Sequence, residues 1–158
     1  MNVSPEGRRV LEYFEGRRND AYPDPATGGA PITIGVGHTG PEVHLGLQWT
    51  DAQVDASLSA DLKRFEEGVQ YLTGDLPQGQ FDALVLFAFN VGLGNLTEST
   101  LLRKVRANDV AGAAHEFERW DKAAGKSMKG LRRRRAAERE LFNGATAATA
   151  IRVAQMTE

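Results

Sequence analysis

The chain has 158 residues, of which 41% are hydrophobic and 25% charged, with a formal net charge of −2. That length bounds it to one domain, at most two lobes sharing a connecting helix, and the composition can bury a core without covalent staples. The absence of cysteine excludes disulfides and cysteine-zinc sites and fits folding in a reducing cytoplasm, while His38, His44 and His115 are too far apart in sequence to form a metal motif.

In chain order, Ser4-Pro5 reads as a helix start, a hydroxyl N-cap followed by proline at the first helical position. Val10, Leu11 and Phe14 follow at helical spacing, and Gly16 directly after Glu15 suits a C-terminal cap. Residues 19 to 48 become rich in glycine and proline around the β-branched run Ile32-Thr33-Ile34, which predicts a small sheet with tight turns. Thr50-Asp51-Ala52-Gln53 has the form of a capping box, and Val54, Leu58, Leu62, Phe65 and Val69 predict one long helix after it. Leu76-Pro77 starts a segment that is apolar on nearly every face from Phe81 to Val91, as in a helix buried on all sides, until Gly92-Leu93-Gly94-Asn95 breaks it. Three further helices are expected: one from Ser99, one from Asn108-Asp109 to about Trp120, and one through Leu131 to Phe142. The Ala/Thr-rich tail from Gly144 is expected to fray or pack weakly.

The stretch from Phe14 to Gly40 carries the candidate chemistry. Glu15 ends an amphipathic helix, Asp24 follows nine residues later between Pro23 and Pro25, and Thr33 nine residues after that in a glycine-punctuated strand. Two carboxylates in contrasting environments beside a hydroxyl suit general acid/base cleavage of a glycosidic bond. A helix C-terminus disfavours a second negative charge, which suits a proton donor at Glu15. Taken singly, each residue also has an ordinary structural reading: a solvated glutamate at a helix end, an aspartate capping its own turn, a threonine chosen for its strand preference. Gly35-Val36-Gly37 lacks the lysine and helix start of a phosphate loop and reads as close backbone approach in a bent strand.

Glu15-Gly16, then Ala21-Tyr22-Pro23-Asp24, then Thr33-Ile34-Gly35-Val36-Gly37-His38-Thr39 together resemble the signature of phage-type lysozymes, the endolysin muramidases of glycoside hydrolase family 24. Gln80 to Leu84, Phe87 to Gly92, Ser99 to Lys104, Trp120, Gly130-Leu131 with Arg134-Arg135, and Glu138 extend the likeness over roughly residues 6 to 142. The resemblance implies an α+β, lysozyme-like fold: a small β-sheet N-terminal lobe joined by a long helix to a larger all-helical C-terminal lobe. On this chain the divisions would be lobe 1 at about 14–50, the long helix at about 51–72, and the helical lobe at about 76–143 with the N-terminal helix 4–14. Residues 144–158 would form the tail of this single domain, 1–158.

The resemblance further implies hydrolysis of the β-1,4 bond between N-acetylmuramic acid and N-acetylglucosamine in peptidoglycan. Glu15 would be the proton donor, Asp24 the partner carboxylate, and Thr33 the residue that positions water or sugar. Phe89, Asn90 and Ser99 match positions that line the family's cleft, although Phe89 also reads as core and Asn90 as a satisfied amide. No metal or organic cofactor is implied. One departure is the Ala26 to Pro31 stretch, longer than the family's compact form; its simplest accommodation is a longer turn around Gly28-Gly29 that leaves the strand in register. His38 is expected to be structural, paired with an acid across the lobe junction.

The basic block Arg132 to Arg135 has no interleaved aromatic residues, so nucleic acid is not expected as a partner; a helix face part solvated and part paired with acids such as Glu138 is. MNVSPEGRRV has no apolar signal region and no run approaches the ~20 apolar residues of a membrane span, so stable membrane insertion is not expected either. The expectation is a monomer that accumulates in the host cytoplasm and reaches the wall when a holin opens the membrane. A lytic transglycosylase, which needs one glutamate and no partner carboxylate, and an inactive wall-binding module are the competing readings; Asp24 argues against the first and the complete trio against the second.

Overall fold

The computed structural model describes residues 1–158. It divides into two compact units, Leu11–Arg64 and Met1–Val10 with Phe65–Glu158. Both divisions fall inside helices, α1 (Pro5–Glu15) and α2 (Asp51–Thr73).

In the unit Leu11–Arg64, α1 ends where the Gly16 N–H closes on Glu12 O at 2.8 Å. An antiparallel sheet follows, ordered β1 (Arg18–Tyr22), β2 (Thr33–Gly35), β3 (His38–Thr39). Arg18 faces Gly35 and Tyr22 faces Thr33, with an irregularity in β1 between them. The long turn is held from within: Gly28 N donates to Asp24 O (2.7 Å) and Asp24 N to Gly29 O (2.9 Å). The extra residues of 26–31 are thus absorbed in the turn, and Thr33 opens β2 in register with Tyr22. On the other side of β1, Ala21 N bonds Leu47 O and Trp49 N bonds Asn19 O. The capping box forms as expected, with Thr50 N on Gln53 Oε1 (2.8 Å) and Gln53 N on Thr50 Oγ1 (3.2 Å), and it starts α2. Ile34, Val36, Val54, Leu58 and Leu62 are buried.

The other unit is built around α3 (Gln78–Val91), in which every residue from Phe81 to Ala88 is buried. A buried side chain such as Phe81 or Leu84 contributes roughly 1.5–3 kcal/mol by leaving water, which explains why this segment carries no polar face. Its one buried acid, Asp82, is satisfied: Ser4 donates to it from backbone N (3.0 Å) and from its hydroxyl, and Gln78 Nε2 at 2.8 Å. The helix stops at Val91, but α4 (Leu93–Glu98) begins at once, so the break expected over Gly92 to Asn95 is confined to Gly92. α5 (Thr100–Arg106), α6 (Val110–Glu116) and a short 3-10 turn at Phe117–Arg119 follow, then α7 (Lys129–Phe142) packed on α3. Phe87 meets Phe117 and Trp120 edge-on, and Phe117 meets Phe142.

Two expectations are corrected here. The C-terminal part is not all helical: β4 (Lys122–Ala123) and β5 (Lys126–Ser127) form a hairpin around Ala124-Gly125, both at positive φ (52° and 79°) as a two-residue hairpin loop requires. The tail does not fray: α8 (Ala147–Met156) is capped by Thr146, whose hydroxyl accepts from Thr149 N, and it packs on α7 with Ala147, Ala150 and Ala154 fully buried. Small side chains at helical spacing let the two helices approach closely, which the low hydrophobicity of the tail disguises. No helix is long and apolar enough to cross a membrane.

Candidate active site

Glu15, Asp24 and Thr33 all belong to the unit Leu11–Arg64. Glu15 is the last residue of α1 and is half-buried. Its carboxylate lies over Gly37: a Cβ added there would meet Glu15 Oε2 at 2.8 Å. The helix end that carries it is tied down by Arg17, which donates to Glu12 Oε1 (2.9 Å), Asp55 Oδ1 (2.7 Å) and the Asp51 carbonyl (3.2 Å). Sequence reading missed Arg17, because its partners on α2 lie more than thirty residues away.

Asp24 sits at the mouth of the long turn. Its Oδ1 accepts from Ala26 N at 2.8 Å, the Asx-turn role that an aspartate before proline favours. That bond uses one carboxylate oxygen and orients the group without neutralising its charge. Thr33 opens β2, and its hydroxyl donates to Pro31 O at 3.4 Å. The three residues therefore come from a helix end, a turn and a strand start of one unit.

Phe89, Asn90 and Ser99 belong to the other unit. Phe89 lies 5.3 Å from the Phe65 ring. Asn90 Oδ1 accepts from Arg135 Nη2 at 2.9 Å. Ser99 is buried as the N-cap of α5, donating to Leu96 O (2.7 Å) and accepting from Leu102 N (3.0 Å). Each has a structural role that accounts for its chemistry.

His38, expected to pair with an acid across the lobe junction, instead pairs within its own unit. It donates from Nδ1 to Asp61 Oδ2 (2.6 Å) and from Nε2 to Glu42 Oε1 (2.7 Å), beside the Trp49 ring at 5.5 Å. Burial alone would lower its pKa, but the hydrogen bonds and charges of Glu42 and Asp61 outweigh it and raise the imidazole above its ordinary value. The bond from His38 in turn holds Glu42 below the usual carboxylate range. The sign of the pH dependence follows. The His38 contribution to stability is full below the unfolded value of about 6.5 and is lost as pH rises through the raised folded value. The Glu42 contribution is present above about 4.3 and is lost as pH falls through its lowered value. Urea midpoints should therefore fall for the wild type between neutral and alkaline pH, and less so for His38→Asn; parallel profiles would contradict the pairing.

The basic block is largely committed inside the chain. Arg134 and Arg135 are buried and pair with the fully buried Glu138, Arg134 from Nε at 3.3 Å and Arg135 from Nη2 at 3.0 Å to the same Oε2. Arg132 donates to Glu158 O (2.7 Å) and Arg133 to Thr157 O (3.0 Å).

Comparison with known proteins adds the kinship. A family model described as phage lysozyme matches residues 12–138. The chain is 43% identical over 143 residues to an endolysin of Bacillus phage B103, an alignment that covers 90% of this chain but only 54% of that protein. Among solved structures, a mutant of P22 lysozyme superposes with a TM-score of 0.81 at 35% identity, covering 91% of this chain and 99% of the other. The muramidase domain of SpmX from Asticaccaulis excentricus gives 0.78 at 36% identity, covering 91% and 99%. The fold is accordingly of the mixed, lysozyme type, and the chain belongs to the phage lysozyme family.

Proposed function

We propose that the protein is a peptidoglycan hydrolase that cleaves the β-1,4 bond between N-acetylmuramic acid and N-acetylglucosamine and so lyses the host cell for phage release. The observation that supports the reading is the placement in one unit of Glu15, seated on the glycine-bent chain after β2, and of Asp24 and Thr33, at the two ends of the turn that precedes it. Kinship with proteins named endolysin, lysozyme and muramidase supports it.

In this reading Glu15 gives its proton to the bridging oxygen as the bond to the sugar C1 breaks. The positive charge that develops on the ring that keeps C1 is met by Asp24, and a water positioned with the help of Thr33 adds to C1 and gives up a proton to a carboxylate. Phe89, Asn90 and Ser99 are proposed to contact the glycan. The chain supplies acid and carboxylate itself, so the reaction as written calls for no metal or cofactor, and a monomer suffices. Delivery by a holin-made lesion goes with the proposal, checked by whether expression lyses cells only when a holin is co-expressed.

Asp24→Asn is the discriminating substitution within the turn. The amide keeps an oxygen to accept from Ala26 N, so the turn survives while the charge is lost. Lysis of purified walls should slow by about 10²-fold or more, the scale on which a positioned electrostatic group acts, with little change in melting temperature. Near-wild-type turnover would leave Asp24 a turn residue only.

A further inference from the structure

Gly37 and Gly35 share a backbone conformation, φ of +66° in each, within one short stretch of chain. Their surroundings differ. A Cβ at Gly35 would meet the Trp49 ring, at 3.1 Å from Cζ3, and Val54 at 3.7 Å. A Cβ at Gly37 would have Glu15 as its nearest neighbour, at 2.8 Å from Oε2, 3.4 Å from Cδ and 3.5 Å from Cβ. The Glu15 side chain is thus laid along the bare backbone of Gly37 from its first carbon to its carboxylate.

We infer that Gly37 is a positioning residue for the reaction: the missing side chain at position 37 is the seat that fixes where the Glu15 carboxyl stands. The inference rests on the reading of Glu15 as proton donor and deepens it. Non-bonded atoms approach to about 3.5 Å at their optimum, so an added methyl cannot share the space with Oε2 at 2.8 Å. The carboxyl is the far end of a flexible side chain, so it is the carboxyl that retreats and not the turn backbone. A proton donor displaced in this way loses alignment with the bridging oxygen, and a misplacement of 1 Å is enough to cost about 10²-fold in rate. The residue acts through the Glu15 carboxyl, so substrate affinity should be spared.

The test compares Gly37→Ala, Gly35→Ala and Glu15→Gln with wild type on purified peptidoglycan, reading kcat, KM and the melting temperature. Both alanine variants put an L side chain into the same left-handed backbone region and carry the same strain. Gly37→Ala should lower kcat by about 10²-fold with KM nearly unchanged. Gly35→Ala should lose comparable stability while keeping kcat near the wild-type value. Gly37→Asn, which accepts positive φ at lower cost, should reproduce the kcat loss and serves if the alanine variant does not fold. The inference is overturned if either position-37 variant turns over like wild type, or if Gly35→Ala loses as much kcat as Gly37→Ala. Full activity of Glu15→Gln would remove the reading of Glu15 itself, an outcome separable from a failure at Gly37 alone.

Discussion

Glu15→Gln should slow wall lysis by about 10³-fold, within the range that a positioned general acid supplies, while the melting temperature stays within a few degrees of wild type. Glutamine has the length and planarity of glutamate, so the side chain can still lie along Gly37 at the end of α1. What it lacks is a dissociable proton. Without one, the bridging oxygen must leave as an alkoxide, a far poorer leaving group than an alcohol. The same substitution therefore separates chemistry from architecture. Turbidity decay of purified walls, read beside a thermal melt, checks both halves. Activity within about tenfold of wild type would mean that the proton comes from another group.

The largest effect on stability is expected far from that site in the chain, at Glu138. This carboxylate is completely buried between Arg134 and Arg135, and Arg135 is itself 1% exposed and stacked at 5.1 Å over the Phe87 ring. Burial pushes the Glu138 carboxyl up, and the two guanidiniums oppose the shift. Arg135 Nε stands 2.8 Å from Glu138 Oε1, an ion pair by distance whose angle is too poor for a hydrogen bond. The charges therefore depend on one another for compensation. Glu138→Gln keeps the volume but leaves the Arg135 guanidinium in the interior without its counter-charge. Breaking a buried pair this way costs about 3–5 kcal/mol, against about 0–1 for a surface pair. At this chain length that corresponds to a fall of roughly 6–20 °C in melting temperature. Replacing Arg135 and Glu138 together by Met and Leu should recover part of the loss, because the Arg135 charge is then no longer stranded. A double variant as unstable as Glu138→Gln would show that packing, not charge, is what the pair provides.

The elements most legible in the sequence are those whose signal is local. Thr50 and Gln53 announce their own reciprocal hydrogen bonds, Ser4-Pro5 marks the start of α1, and Phe81 to Val91 can only be a buried helix because it has no polar face. The elements that escaped are those whose stability comes from elsewhere. α8 is assembled from alanines, which bury little area each and become a packed face only against α7. The β4–β5 hairpin has Ala124 where Asn or Asp would ordinarily advertise the turn, and strands of two residues leave no alternating pattern to see.

The site divides the same way. Glu15, Asp24 and Thr33 were visible as a set, through a family likeness, while each remained ambiguous alone. The Asx bond of Asp24 to Ala26 shows why: the ordinary turn role is present, and it leaves the charge available for a second one. What the sequence could not show is contact between distant residues. Gly37 lies twenty-two positions from Glu15, and Asp61 twenty-three from His38. No periodicity connects such pairs; only the packing of α1 and α2 on the sheet brings them together.

The central claim is tested most directly by mass analysis of peptidoglycan digested with the wild type and, in parallel, with Glu15→Gln. The account predicts that the wild type releases fragments ending in reducing N-acetylmuramic acid, each with one water added across the broken bond, and that Glu15→Gln releases almost none. Fragments ending in 1,6-anhydro-N-acetylmuramic acid, reducing ends on N-acetylglucosamine, or equal release by the two proteins would contradict it.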